Sequence, residues 1–399
     1  MADNDKKDLA LKWKKSEEAR SASESDSAPN QKENDVADQD FHSYSRFDHT
    51  SGNFTDSYGN EDKQIEIGRN LAAIFKQKEI HPVLIFGSKS SGKTMLLASL
   101  FKYYHTDDAD DADGSIDPCI DAICKSGDDQ FDTLEDHLRL ANFFLDKIVF
   151  RVISGLAAEA TLYEIPFFIP VEIKVSKNEP QRYAFLEGKG EWYQPNDNQE
   201  SESTIKKFKG VICGLLQEYE GPLSVIYVAP CISGGLNSRG DKTSTSEINS
   251  HANCDRGLVG AMDEYMRLRG AKCAQDHHLF LISKWDTECG GLSTEEFYSP
   301  TNQKINDILE NKFNLSWKRF CNNLEPRVES TNYAAYCSGK IVEDKMVRLA
   351  KEDAAVVSRY PRRVWHWLYK NKSGKSLYAD MIPPTPGIVE KLLAFLRGD

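Results

Sequence analysis

Pro82-Val83-Leu84-Ile85-Phe86-Gly87-Ser88-Lys89-Ser90-Ser91-Gly92-Lys93-Thr94-Met95-Leu96-Leu97-Ala98-Ser99-Leu100-Phe101 is the stretch on which the reading of this chain turns. An apolar run of strand character ends at Gly87, eight residues match G-x-x-x-x-G-K-[ST], and a helix-forming apolar segment follows at once. That pattern suits a polyphosphate for physical reasons. Several donors must converge on one point, so the loop has to curl until successive backbone N–H groups face inward, and Gly87 and Gly92 permit the curl without a Cβ clash. A helix starting near Lys93 adds its positive N-terminal end. The sequence therefore predicts a nucleotide-phosphate site built from Gly87, Ser88, Lys89, Ser90, Ser91, Gly92, Lys93 and Thr94. Lys93 is expected to reach the β- and γ-phosphates and serve catalysis, and the Thr94 hydroxyl to ligate magnesium.

Composition sets the frame around that loop. With 399 residues, 40% of them hydrophobic, the chain can bury a substantial core as one large domain or two smaller ones. A net charge of −12 argues against a general polyanion-binding surface, so nucleic acid is not an expected partner. Nine cysteines (119, 124, 213, 231, 254, 273, 289, 321 and 337) form no C-x-x-C pair and are odd in number. That fits reduced thiols better than a disulfide framework or structural zinc. No apolar leader opens the sequence, and no run approaches the roughly 18 to 20 apolar residues of a membrane span. The expectation is a cytoplasmic protein without a membrane span.

Along the chain, residues 1–62 are rich in Ser, Asp, Glu, Asn and Lys and read as a disordered acidic tail, with a short helix over 8–20. Its aromatics Phe41, Tyr44, Phe47 and Phe54 suit a solvated tail better than a docking segment. Residues 63–399 read as one nucleotide-binding domain interrupted by insertions at 107–160 and 233–256 and closed by C-terminal helices. A helix is predicted over 64–78, and a solvated acidic connection over 107–117, whose spacing fails the calcium-loop pattern. Helical spacing returns over 134–154. Two strands, 166–174 and 182–187, are joined closely enough to form an antiparallel hairpin. A helix over 207–219, a buried strand over 224–229, a polar surface loop over 233–250, a helix over 258–269 and a buried strand over 279–283 follow. Helix 305–321, a short strand at 333–337, an aromatic-rich helix through 364–369 and a closing helix at 387–397 complete a three-layer α/β pattern without internal repeat.

Four later positions carry chemistry. Ser-Lys-Trp-Asp at 283–286 follows a buried strand. Guanine presents N1–H and N2–H2 donors together, which a carboxylate at Asp286 can accept while the Lys284 stem lies along the base. Leu-Glu-Gly-Lys-Gly-Glu-Trp at 186–192 ends the hairpin's second strand. There Glu187 can hold magnesium through water, Gly190 lets a backbone N–H approach the γ-phosphate, and Glu191 stands where water is positioned. Thr161 has a hydroxyl for the same metal shell, and Ser338 with Gly339 forms a small turn able to contact the base.

In this order the residues resemble the phosphate-loop GTPases, and more particularly the bacterial double-GTPase proteins of mobile-element and defence loci. Positions 87–94 match the family's first motif, 187–191 are similar to Asp-x-x-Gly-Glu with glutamate first, and 283–286 resemble Thr/Asn-Lys-x-Asp with serine first. The resemblance implies a Ras-like α/β core with a mostly parallel sheet, GTP and Mg2+ as ligands, and a protein partner or effector. It further implies a switch in which Thr161 and 187–191 are ordered by the γ-phosphate. Slow hydrolysis follows from the lack of an evident cis arginine. A phosphate-loop ATPase or small-molecule kinase, and a nucleotide-binding interaction module that does not turn over, remain alternatives.

Overall fold

The computed structural model describes residues 61–88, 90–103, 115–118, 140–158, 166–174, 180–188, 210–231, 245–285, 300–325, 332–339, 341–342, 345–346 and 359–375. The chain divides into two units, Met1–Gly59 and Asn60–Asp399. The first lies outside the described residues, as do the helices expected over 8–20 and 387–397.

Ile80–Gly87 (β1) is buried at every residue, as a near-continuous apolar run is when both faces of a parallel strand are covered. Ser224–Pro230 (β5) is likewise buried throughout, and His277–Ser283 (β6) is buried after its first residue. Strand β1 pairs in parallel with Gln181–Glu187 (β4) on one side and with β5 on the other. Beyond β5 come β6 and then Tyr333–Ala335 (β7), both parallel. The predicted hairpin is present, with Phe167–Lys174 (β3) antiparallel to β4. Ser115–Pro118 (β2) adds an antiparallel edge, giving the order β2-β3-β4-β1-β5-β6-β7. A ladder edge needs only backbone donors and acceptors. The end of the acidic run, read as a solvated connection, is therefore a sheet strand. Ile341–Val342 (β8) and Lys345–Met346 (β9) pair separately.

Helices cover both faces of the sheet. On one side lie Glu61–Gln77 (α1), Gly210–Glu218 (α4), Thr245–Arg269 (α5), Asn302–Lys312 (α6) and Asn314–Arg319 (α7). Phe86 and Tyr227 share that face, Phe86 meeting Tyr265 of α5 at 6.3 Å and Tyr227 meeting Phe320 at 6.1 Å. On the other side lie Lys93–Tyr103 (α2), a π-turn Phe144–Val149 leading into Phe150–Ile153 (α3), and Arg359–Ser373 (α8). There Phe185 packs edge-on against Phe101 of α2 and Trp365 of α8, each at 5.4 Å, and the Trp365 indole donates to Leu100 O.

Three local differences from the sequence reading have physical causes. Helix α5 starts at Thr245 rather than near 258, because its first turns are polar all round and show no apolar period. Much of the loop and insertion expected over 233–256 is therefore helix. The helix expected over 305–321 breaks at Phe313 (φ −127°), where Asp255 of α5 accepts from Leu315 N and Ser316 N and so starts α7 anew. A π-turn, Phe320–Leu324, then ends it. Among the described residues no helix is long and apolar enough to cross a membrane.

Candidate functional site

Strands β4, β1, β5, β6 and β7 run the same way, so their carboxyl ends share one edge of the sheet. The 87–94 segment leaves β1 at that edge and enters α2 at Lys93. Two glycines are needed for its path. A Cβ on Gly87 would lie 2.6 Å from Ser91 Oγ and 2.8 Å from Val228 O. Gly92 has φ +87°, where an L side chain is strained. Ser90 (φ +59°) and Lys284 (φ +56°) also adopt left-handed backbone, and both lie at this edge. Strained non-glycine residues of this kind cluster at binding sites and switch segments. The Lys93 ammonium is buried and donates to Gly87 O at 3.0 Å and Ser88 O at 3.1 Å, which holds one cation against the loop.

Two segments distant in sequence close on the loop. Glu187 at the end of β4 is 1% exposed, and its Oε1 accepts from Thr94 Oγ1 at 2.8 Å. A buried carboxylate beside a hydroxyl offers hard oxygen donors, the type that suits magnesium. Among the described residues no group of three or more His, Cys, Asp or Glu converges. At the end of β6, Ser283 Oγ donates to Ser91 O and lies 3.4 Å from Ala229 O. A serine at 283 thus braces the loop itself.

On the side expected for the base, Trp285 N donates to Tyr336 O at 3.2 Å, so the segment after β6 lies beside the segment after β7. Lys284 is half-buried. The Ser338 hydroxyl donates to Ser99 of α2 at 3.3 Å, and Ser99 is bonded in turn to the Tyr336 hydroxyl at 2.6 Å. A hydroxyl reaches whichever partner is nearest, and here that is α2. Gly339 turns with φ +118° and donates its N–H to Cys337 Sγ. Lys89, Thr161, Gly190, Glu191 and Asp286 lie outside the described residues.

One neighbour of the loop carries no sequence signal. Cys254 of α5 places its thiol 2.9 Å from Ser88 Oγ. Burial pushes that thiol above its ordinary pKa, while Ser88, Lys284 and Lys93 oppose the rise, which places both lysines within electrostatic reach of it. A cysteine on a long helix has no motif to mark it, and only the packing of α5 over β1 brings it here. No protein-family model matches the chain, and no curated protein matches its sequence.

Proposed function

We propose that this chain is a magnesium-dependent guanine-nucleotide-binding protein with a Ras-like core that hydrolyses GTP slowly and works as a switch. The observation that carries the reading is the Thr94–Glu187 contact: a hydroxyl on α2 and a buried carboxylate on β4, 93 residues apart, meet at 2.8 Å beside a glycine-rich loop on the central strand. A mostly parallel sheet with one hairpin, and the loop at the carboxyl end of its middle strand, support the same reading.

Thr94 and Glu187 would hold the ion, and magnesium bound there supplies charge neutralisation to the β- and γ-phosphates. The chain's own groups have separate tasks. Backbone N–H groups of 87–94 bind the phosphate oxygens, Lys93 sets a positive charge beside them, and Ser283 fixes the loop carbonyl at Ser91 so that the donors keep their aim. Guanine selection is assigned to Lys284 and Asp286, and water positioning to Glu191. A role in a defence or mobile-element system rests on the family resemblance alone.

The test compares fluorescent GTP and ATP in titrations with and without magnesium. GTP should bind with magnesium dependence, and Lys93→Ala should weaken it by about 100-fold, the scale of a lost charge-assisted phosphate contact. Single-turnover phosphate release should be slow, on the order of 10⁻⁴ s⁻¹, as for sites without a cis or added arginine. Binding of ATP in place of GTP would overturn the base assignment, and release unchanged by Lys93→Ala would overturn the enzyme.

A further inference from the structure

Helices α5 and α7 and the π-turn after α7 enclose an open cleft of about 370 Å³. Arg256 and Val259 line it from α5 at i, i+3, and Leu315, Lys318, Arg319 and Asn322 line it from the facing wall at i, i+3, i+4, i+7. Each spacing puts its residues on one helix face. Arg319 is neutralised by Asp263 through two contacts of 2.7 and 3.0 Å. Arg256 and Lys318, both exposed, have no hydrogen bond or ion pair among the described residues. Between them Leu315 is 55% exposed, one of two large apolar side chains so placed among the described residues.

The two walls of the cleft are tied to each other. Asp255 fixes the start of α7 to α5, and the Arg319–Asp263 pair ties the two walls lower down. Preorganised walls spare a ligand the ordering cost that usually erodes affinity. The π-turn that carries Asn322 and Asn323 is an uncommon element, frequent at functional sites.

We propose that this cleft docks an acidic segment of a partner protein, with Asp or Glu side chains on either side of an aliphatic or aromatic anchor. Arg256 and Lys318 meet the carboxylates, the anchor rests on Leu315 and Val259, and the Asn322 and Asn323 amides bond the partner's backbone. Two cations without a side-chain partner among the described residues, set beside an exposed leucine, complement such a segment locally, against the chain's net charge of −12. Single-stranded nucleic acid fits less well, because no aromatic ring lines the cleft for a base to stack on.

The experiment uses the full chain and a fluorescein-labelled Asp-Glu-Leu-Phe-Asp-Glu peptide, followed by fluorescence anisotropy. Binding should saturate, weaken with salt, and fall about tenfold with each of Arg256→Ala, Lys318→Ala and Leu315→Ser, as for an interfacial charge or anchor. Exchanging the peptide's Leu and Phe for Ser should weaken it as much. All three positions are exposed, so the thermal midpoint should stay at the wild-type value and separate lost docking from lost folding. Absence of saturable binding, or binding indifferent to Arg256→Glu with Lys318→Glu, overturns the proposal. So does tighter binding of labelled oligo-dT than of the peptide, or a dimer in sedimentation velocity that Leu315→Ser makes monomeric. The nucleotide titrations of the preceding section stand apart from every one of these outcomes.

Discussion

Replacing Ser283 by alanine isolates the contact between β6 and the 87–94 loop. The side chain is 3% exposed, its hydroxyl donates to Ser91 O, and the β6 backbone is held separately by Cys231 N donating to Ser283 O at 2.9 Å. Alanine removes one oxygen atom and so opens little space. The cost arises because the Ser91 carbonyl, in a residue with no exposure, is left without its donor. A buried acceptor stranded in this way costs roughly 1 to 3 kcal/mol. If the loop must be held in one shape to bind triphosphate, that energy appears in affinity, and about 1.4 kcal/mol corresponds to a tenfold rise in Kd. Titration calorimetry with magnesium and GTP should thus show about tenfold weaker binding, and thermal unfolding a drop of about 2 to 5 °C. An affinity within about twofold of wild type alongside a lowered Tm would refute the bracing role, since the hydroxyl would then serve the fold alone.

Glu187→Gln keeps the size and an acceptor for Thr94 while removing the charge, so Tm should hold and the magnesium-dependent part of GTP affinity fall about tenfold. The ratio of Kd values with magnesium and with chelator reads this directly, and an unaltered ratio counts against the metal site. Gly214→Ala sets a Cβ 1.9 Å from Ile65 O, where α4 crosses α1, and should lower the urea midpoint by about 3 kcal/mol equivalent or more, because backbone cannot yield as a side chain does. A wild-type midpoint would mean that the two helices are not so closely packed. His81 and His278 are pushed down by burial, to about 3 and about 4 from an ordinary 6.5. The unfolded chain takes up their protons first as pH falls, so stability is complete above pH 6.5 and is lost from 6.5 down to about 4 for His278 and about 3 for His81, at up to about 1.4 kcal/mol per histidine per pH unit. His278→Phe should flatten the Tm profile in that window, and an equally steep profile would refute the assignment.

The sheet was readable because burial on both faces forces the residue type. Val83 to Phe86, Val225 to Val228 and Leu279 to Ile282 are runs that only a covered strand tolerates, and each is a parallel strand of the centre. The hairpin was readable from the short connection between β3 and β4. The start of α5 was not, since a polar first half has no period to detect. Nor was the break at Phe313, which depends on a carboxylate, Asp255, arriving from a helix some 60 residues earlier in sequence. Within the site, the loop and the Glu187 and Ser283 positions followed from motif order. The partner of the Ser338 hydroxyl did not, because Ser99 and Ser338 meet only once α2 has packed beside the end of β7.

Residues 254–256 show why contacts of this kind escape a linear reading. Successive helix positions turn by about 100°, so three neighbours face three directions. Cys254 meets Ser88 in the loop, Asp255 holds the start of α7, and Arg256 lines the cleft. None of the three belongs to a motif, and an apolar period would count only the first. Yet one turn of α5 sets the position of a loop serine and of a cleft wall together, because Cys254 and Asp255 are both buried and neither can shift without displacing the other's partner. Placing that turn required β1, β5 and α7 to be assembled around it, which is information carried by the packed chain as a whole.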